Sequence, residues 1–437
     1  MPTAAFHTLG CKLNQYETEA LREQFETQGY TVVPFSSVAD VYVVNTCTVT
    51  AKSDRSSRKA IYQALRRAPG ARIVATGCSA ELFPQSFADI PGVDLVVSNK
   101  RKGKVYETLT QTLSQDVVLS HDSKPESIDE NGWFDISRFR NYSRAFLKIQ
   151  DGCNARCSYC VVPFARGGSR SRPLQSILSQ SHQLIDSGYK EIVLTGVHLG
   201  AYGADFSEEI SLADVLEALI DIEQLWRVRL SSIEPMECSP RLVDVIASSS
   251  KICRHVHIPL QSGDDRILKR MNRNYTTKDY LDVIETLVAH IPDIGIGSDV
   301  MVGFPGETDS HFHQSFQFVK ELPLSYFHVF SYSRRPKTSA AQYREHVPDE
   351  VKKDRSAIFR QLRSEKMDQF RRRFIGDCLD VLFEYRRDQQ TGMLTGLSDN
   401  YIRVKADGPD CLQGEPVTVH IHDVAGEQTY GSVVKVN

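Results

Sequence analysis

Residues 151–160 read DGCNARCSYC and set Cys153, Cys157 and Cys160 at spacings of four and three. Three thiolates fall one short of a closed tetrahedral zinc site. On a 4Fe-4S cluster they leave one iron with a position that an outside ligand can take. Half of a zinc ribbon would need a second close cysteine pair, and Cys238, Cys253, Cys378 and Cys411 stand singly. The loop follows AFLKI (145–149), the first of six strand-like runs. The others are EIVLTG (191–196), RVRLSSI (227–233), HVHIPL (255–260), IGSDVMVGF (296–304) and YFHVFSYS (326–333). Each of the first five is followed by a helical pattern: 174–188, 212–222, 241–248, 277–291 and 311–322. Right-handed crossovers wind such repeats into a barrel, and six make a partial one whose chemistry sits in the loops after the strands.

Upstream lies another α/β unit. Strands are expected at 4–10, 41–46, 72–77 and 94–98, with helices at 15–30 and 51–69, an alternation that implies a mostly parallel sheet. Cys11, Cys47 and Cys78 each fall just past a strand, the edge where open α/β sheets collect ligands. Small residues before each cysteine let backbone approach a bulky group. The three could also be unrelated buried thiols, or a Cys3His zinc site completed by His7, although His7 lies within its strand.

Between these units SHDSKPESIDENG (120–132) is polar and rich in Ser, Pro and Gly, as linkers are. Beyond the barrel a basic helical stretch (351–374) leads to five short strand-like runs at 379–387, 392–398, 400–406, 416–424 and 429–436. Five strands in so short a span suggest a small β-barrel of the kind that grips oligonucleotides. The expected fold is therefore α/β, in this layout: 1–114, a parallel sheet domain; 115–139, a linker; 140–374, a partial (β/α)6 barrel; 375–437, a small antiparallel β-barrel.

The 437 residues carry a formal charge of -3, which decides nothing about nucleic acid; local clusters at 52–59, Arg66, Arg67 and 99–104 count for more. No apolar run approaches a bilayer span, and the first residues lack a basic region followed by an apolar one. The expected location is the cytoplasm, with no membrane partner. In that reducing compartment ten cysteines read as metal ligands or buried small hydrophobes rather than disulfides.

The C-x3-C-x2-C loop after the first barrel strand resembles the radical S-adenosylmethionine enzymes. TLGCKLNQYETEAL, VVNTCTVT, VATGCSAE, CSYCVVPFARGGSRSRP, LTGVHLGAYG, RLSSIEP, HIPLQSGDDRILKRMNRNY and DVMVGFPGET resemble the methylthiotransferases among them, most closely the tRNA threonylcarbamoyladenosine branch. The C-terminal strands resemble a TRAM domain. The resemblance implies two 4Fe-4S clusters, on Cys153, Cys157 and Cys160 and on Cys11, Cys47 and Cys78. One would bind S-adenosylmethionine and release a 5'-deoxyadenosyl radical, and the other would carry the sulfur to be inserted. It further implies cofactor contacts at Tyr159, Gly196, Ser232, Glu234 and Gln261, with no separate catalytic side chain assigned, although GVH replaces the Glu often found after the second strand. Gly303 and Gly306 suit a tight loop under the cofactor. Implied partners are the tRNA anticodon loop, an electron donor such as a flavodoxin or ferredoxin, and an unnamed sulfur donor. Arg334 and Lys337 depart from the Pro and Gly common in relatives. Rival readings are the isopentenyladenosine and ribosomal-protein aspartate methylthiotransferases, and a non-catalytic metal-containing RNA-binding module.

Overall fold

A computed structural model describes residues 1–111, 118–120, 133–140 and 142–436. The expected linker at 115–139 thus lies largely outside the described residues. The chain forms two compact units. The first comprises Met1–Arg138, Asp151–Arg172 and Ser333–Ala341; the second comprises Phe139–Gln150, Pro173–Tyr332 and Gln342–Asn437.

In the first unit six parallel strands lie in the order Thr31–Val33, Thr3–Thr8, Val41–Thr46, Arg72–Gly77, Leu95–Val97, Val118–Ser120. The three-residue strands at the two edges escape the sequence pattern, which shows four. Alternate residues of Val41–Thr46 feed two separate cores: Tyr42 and Val44 pack with Ile61, Ile73 and Phe87, while Val43 packs with Phe6, Leu21 and Phe25. Helices on both faces explain why Val41–Thr46 is buried along its whole length. The strand order reverses between Thr3–Thr8 and Val41–Thr46, and the crevice beyond such a reversal is the ordinary ligand site of a doubly wound sheet.

In the second unit two three-stranded parallel sheets hold the six barrel strands. One orders Arg227–Leu230, Glu191–Thr195, Arg144–Lys148; the other orders His255–His257, Gly295–Val302, Tyr326–Ser331. Parallel bridges Val228–Ile252 and Ser232–His257 join them on one side. Among the described residues the two outer strands are not paired with each other, so the barrel is open there. Leu147, Ile192, Leu194, Val228, Leu230, Val256 and Ile296 share one continuous core with the covering helices. Two helices, Asp265–Arg270 and Thr277–His290, stand between the fourth and fifth strands, where the sequence pattern shows one. Helix Asp349–Arg372 leads to a closed barrel of Cys378–Phe383, Leu394–Ser398, Arg403–Asp407, Gln428–Val436 and Pro416–Ala425.

The second unit also buries an ionic array. Glu191 accepts from Arg227 Nε (2.6 Å) and Arg229 Nε (2.7 Å). The same guanidiniums donate to the carbonyls of Asp380, Leu397, Ser398 and Asp399 in the small barrel. Burial alone would raise the Glu191 carboxyl, but Arg227, Arg229 and Arg144 outweigh it and bring it down to about 2. No helix among the described residues is long and apolar enough to cross a membrane.

Candidate functional site

Three strand ends of the first unit present the first cysteine triad. Cys11 caps helix Lys12–Thr27, Cys47 follows Val41–Thr46, and Cys78 opens helix Cys78–Leu82. Gly10 and Gly77 both adopt φ +97°, turning strand into helix where a side chain would be strained. Space demands glycine as well. A Cβ on Gly10 would lie 2.8 Å from Cys47 Sγ, and one on Gly77 would lie 2.4 Å from the Thr46 carbonyl oxygen. Polar side chains lace the three ends together. Asn14 Nδ2 donates to the carbonyls of Leu9 (2.7 Å) and Thr46 (3.1 Å). Thr46 Oγ1 donates to Thr76 O (2.6 Å) and accepts from Ala80 N (3.0 Å).

Cys11 is exposed, Cys78 half-buried and Cys47 buried. Burial pushes the Cys47 thiol up, and the neighbouring Cys78 and Cys11 push it the same way. Crowded sulfurs of this kind become thiolates only against a strong local positive charge, so the donor set suits an iron cluster. His7 does not complete a zinc site, because its ring packs on Phe35 with centroids 4.7 Å apart. Among the described residues no three or more His, Cys, Asp and Glu side chains are grouped so as to hold a metal ion.

The second triad lies in the same unit, on a loop pinned at its base. Cys153 N donates to Gly167 O (3.0 Å), Ser169 N donates to Asn154 Oδ1 (3.1 Å), and Cys160 N donates to Cys157 O (3.0 Å). Cys153, Cys157, Tyr159 and Cys160 are all half-buried, neither locked in a core nor free in solvent.

What joins the triads was not legible in the sequence. Buried Arg166, six residues after Cys160, donates to Glu17 (2.8 and 3.1 Å), Asn14 Oδ1 (2.7 Å) and Asp151 Oδ1 (3.0 Å). Lys102 reaches Glu17 from the other side; burial lowers its pKa, and the carboxylate opposes that shift. Asn99 Nδ2 donates to Ala165 O (2.8 Å) and lies 3.8 Å from Cys78 Sγ. Leu82, Val161 and Ala165 form a small apolar cluster against Cys78 and Phe83. A third segment adds Arg335, which donates to Thr48 Oγ1 (2.7 Å) and pairs with Asp54, while Asp54 accepts from Ser79 Oγ (2.7 Å). Thr48 and Ser79 are the neighbours of Cys47 and Cys78. Buried charges carry no period or spacing by which to find them. The FARGGSR stretch, with a cation directly after an apolar pair, was the only signal.

The other expected cofactor contacts lie in the second unit, past the ends of barrel strands. Gly196 leaves room for buried Gln150, whose Oε1 accepts from Val197 N (2.9 Å) and His198 N (2.8 Å). Ser232 is exposed and bridges to His257. Glu234 pairs with Arg273, whose Nε donates to Tyr275 Oη (3.0 Å). Gln261 adopts φ +66°, its backbone N donating to Asp299 O and its carbonyl accepting from Met301 N, each at 2.8 Å.

Residues 147–319 match the radical SAM superfamily, and residues 3–98 match a family described only as uncharacterized protein family UPF0004. The chain is 38% identical over 439 residues to the threonylcarbamoyladenosine tRNA methylthiotransferase MtaB of Bacillus subtilis, covering 100% of this chain and 97% of that protein. The protein of the same name from Aquifex aeolicus is 42% identical over 407 residues, covering 92% and 96%. A tRNA-2-methylthio-N(6)-dimethylallyladenosine synthase from Protochlamydia amoebophila is 32% identical over 433 residues, covering 98% and 95%. Among solved structures, the radical S-adenosylmethionine methyltransferase TsrM from Kitasatospora setae superposes with a TM-score of 0.58 at 17% identity, covering 77% of this chain and 76% of that one, a likeness of fold alone. Two cysteine triads in one unit, a six-strand partial barrel and full-length relatives agree: the chain belongs to the radical S-adenosylmethionine methylthiotransferases.

Proposed function

We propose that this chain inserts a methylthio group at C2 of N6-threonylcarbamoyladenosine beside the tRNA anticodon, with S-adenosylmethionine as radical source and methyl donor. One observation carries the reading. Both triads belong to a single compact unit, braced by Arg166 and Asn99, in a chain that matches threonylcarbamoyladenosine tRNA methylthiotransferases over nearly its whole length.

We assign one 4Fe-4S cluster to Cys153, Cys157 and Cys160 and a second to Cys11, Cys47 and Cys78. Bound there, the groups would supply an electron to S-adenosylmethionine at the first and a sulfur-bearing iron at the second. The protein's own part is to hold and to shield. Tyr159 offers a half-buried ring for the adenine of the cofactor. Gly196 keeps backbone open for its amino group. Ser232, Glu234 and Gln261 offer polar contacts, Glu234 being oriented by Arg273. The small barrel at 375–437, the basic cluster at 52–59 and the exposed Lys100 and Lys104 grip the RNA, Lys102 being buried against Glu17, and an unpaired anticodon loop presents its base splayed out. We keep the domain layout expected from the sequence as a proposal, with the electron coming from a flavodoxin or ferredoxin and the reaction taking place in the cytoplasm.

The test is anaerobic purification followed by iron analysis and turnover. About eight irons per chain are expected for two 4Fe-4S clusters. Reduced protein supplied with tRNA unmodified at C2 should yield both 5'-deoxyadenosine and a methylthio nucleoside. Intact clusters with neither product would refute the assignment, and zinc at one or two equivalents would favour a structural metal module.

A further inference from the structure

Segment Ser333–Ala341 belongs to the compact unit that carries both triads. Its anchors touch the surroundings of each. Ser333 Oγ accepts from Ala51 N (3.1 Å), and buried Arg335 holds Thr48 and Asp54 beside Cys47. At the other end Ala340 N donates to Ser158 O (2.8 Å) and Ser339 Oγ reaches the same oxygen (3.3 Å), within the radical-forming loop. The segment therefore spans from the residue after the first triad's Cys47 to the residue after the second triad's Cys157.

Between the anchors the chain makes a tight turn. Thr338 N donates to Arg335 O (3.3 Å), Pro336 takes the second position, and Lys337 takes the third with φ +70°. That is a type II turn, whose third position is left-handed and favours glycine. This chain places lysine there, at a conformational cost that glycine would avoid. Arg335 and Thr338 are buried, which fixes the turn, while Arg334 and Lys337 are exposed. Neither Arg334 nor Lys337 has an ion-pair or hydrogen-bond partner among the described residues. Two unpaired cations, one kept against backbone preference, stand on a strap between two metal-binding loops.

We propose that Arg334 and Lys337 form a cationic pair that takes an anionic group of the RNA substrate, either the carboxylate of its threonylcarbamoyl group or a backbone phosphate. The inference rests on the proposed function. Arginine can meet either anion with two parallel hydrogen bonds, and lysine adds a point charge.

The test uses anaerobically reconstituted full-length protein and two synthetic anticodon stem-loops, one with threonylcarbamoyladenosine and one with plain adenosine at the target position. Affinities are read by fluorescence anisotropy across a salt series for the wild type, Arg334→Ala, Lys337→Gly and Lys337→Arg. Lys337→Gly relieves the turn, so its melting temperature should hold or rise while its Kd for the threonylcarbamoyl RNA rises about five- to tenfold. Lys337→Arg should restore binding. A loss confined to the threonylcarbamoyl RNA identifies the carboxylate. An equal loss in both RNAs, with a salt slope shallower by about one, identifies a phosphate. Unchanged affinity in both Arg334→Ala and Lys337→Gly, or a Lys337→Arg protein as weak as Lys337→Gly, overturns the inference. Failure of the wild type to methylthiolate the threonylcarbamoyl RNA instead defeats the proposed function.

Discussion

Replacing Glu191 with Gln should strip the second unit of a buried counter-charge. The carboxylate is fully buried, and Arg227 and Arg229 beside it are 2% and 0% exposed, so neither cation can turn to water when it goes. Arg144, the third cation acting on it, is engaged with Glu384 (3.1 Å). Gln can accept from one guanidinium, but its amide NH2 then faces the other. Breaking a buried pair from one side costs about 3–5 kcal/mol. A second route gives the same size: the drop from an ordinary 4.5 to about 2 corresponds to about 3 kcal/mol at about 1.4 kcal/mol per pH unit. The folded pKa is the lower one, so this stability is complete above 4.5 and is lost as pH falls toward 2. Urea unfolding at pH 7 and pH 3 measures both effects. Trp226 lies against Arg227 (4.1 Å), so in a Trp133→Phe background its fluorescence reports on the array alone. Glu191→Gln should be less stable by about 3–5 kcal/mol at pH 7, with the gap narrowing on acidification. A gap below about 1 kcal/mol, or one that pH does not change, would refute the reasoning.

Arg166→Met should cost about 3–5 kcal/mol, because it removes a buried cation from Glu17, Asn14 and Asp151, and should lower iron content at both triads; full iron loading would sink it. Gly77→Ala puts a Cβ 2.4 Å from backbone at φ +97°, so a loss of at least about 2 kcal/mol and an incomplete first cluster are expected by denaturation and iron analysis. Cys157→Ala should abolish 5'-deoxyadenosine formation yet keep RNA affinity, whereas Cys47→Ala should keep cofactor cleavage and lose the methylthio product. Sustained turnover by either would contradict the assignment of its triad.

The alternation of apolar runs with helical periods made both α/β layers and the small barrel readable, because buried parallel strands must be apolar and amphipathic helices must repeat. The placement of Cys11, Cys47 and Cys78 just past strand ends was readable because the apolar runs before them mark those ends. Short elements were not: Thr31–Val33 and Asp265–Arg270 hold too few residues to show a period. Nor was the Arg166, Glu17 and Lys102 array, since hydropathy counts each as surface, and only contacts across 85 and 149 positions bury them. Residues 151–172 and 333–341 join the first unit through the same kind of distant contact.

That discontinuity sets a timetable for synthesis. The last piece of the first unit emerges some two hundred residues after Arg138, at Ala341. At about 5–20 residues per second a ribosome needs about ten to forty seconds to cover that interval. Throughout it, Cys11, Cys47 and Cys78 stand without the strap that carries Arg335. In a nascent chain of this design one late segment completes the surroundings of both Cys47 and Cys157, through Thr48 and Ser158, rather than each in the order its cysteines are encoded.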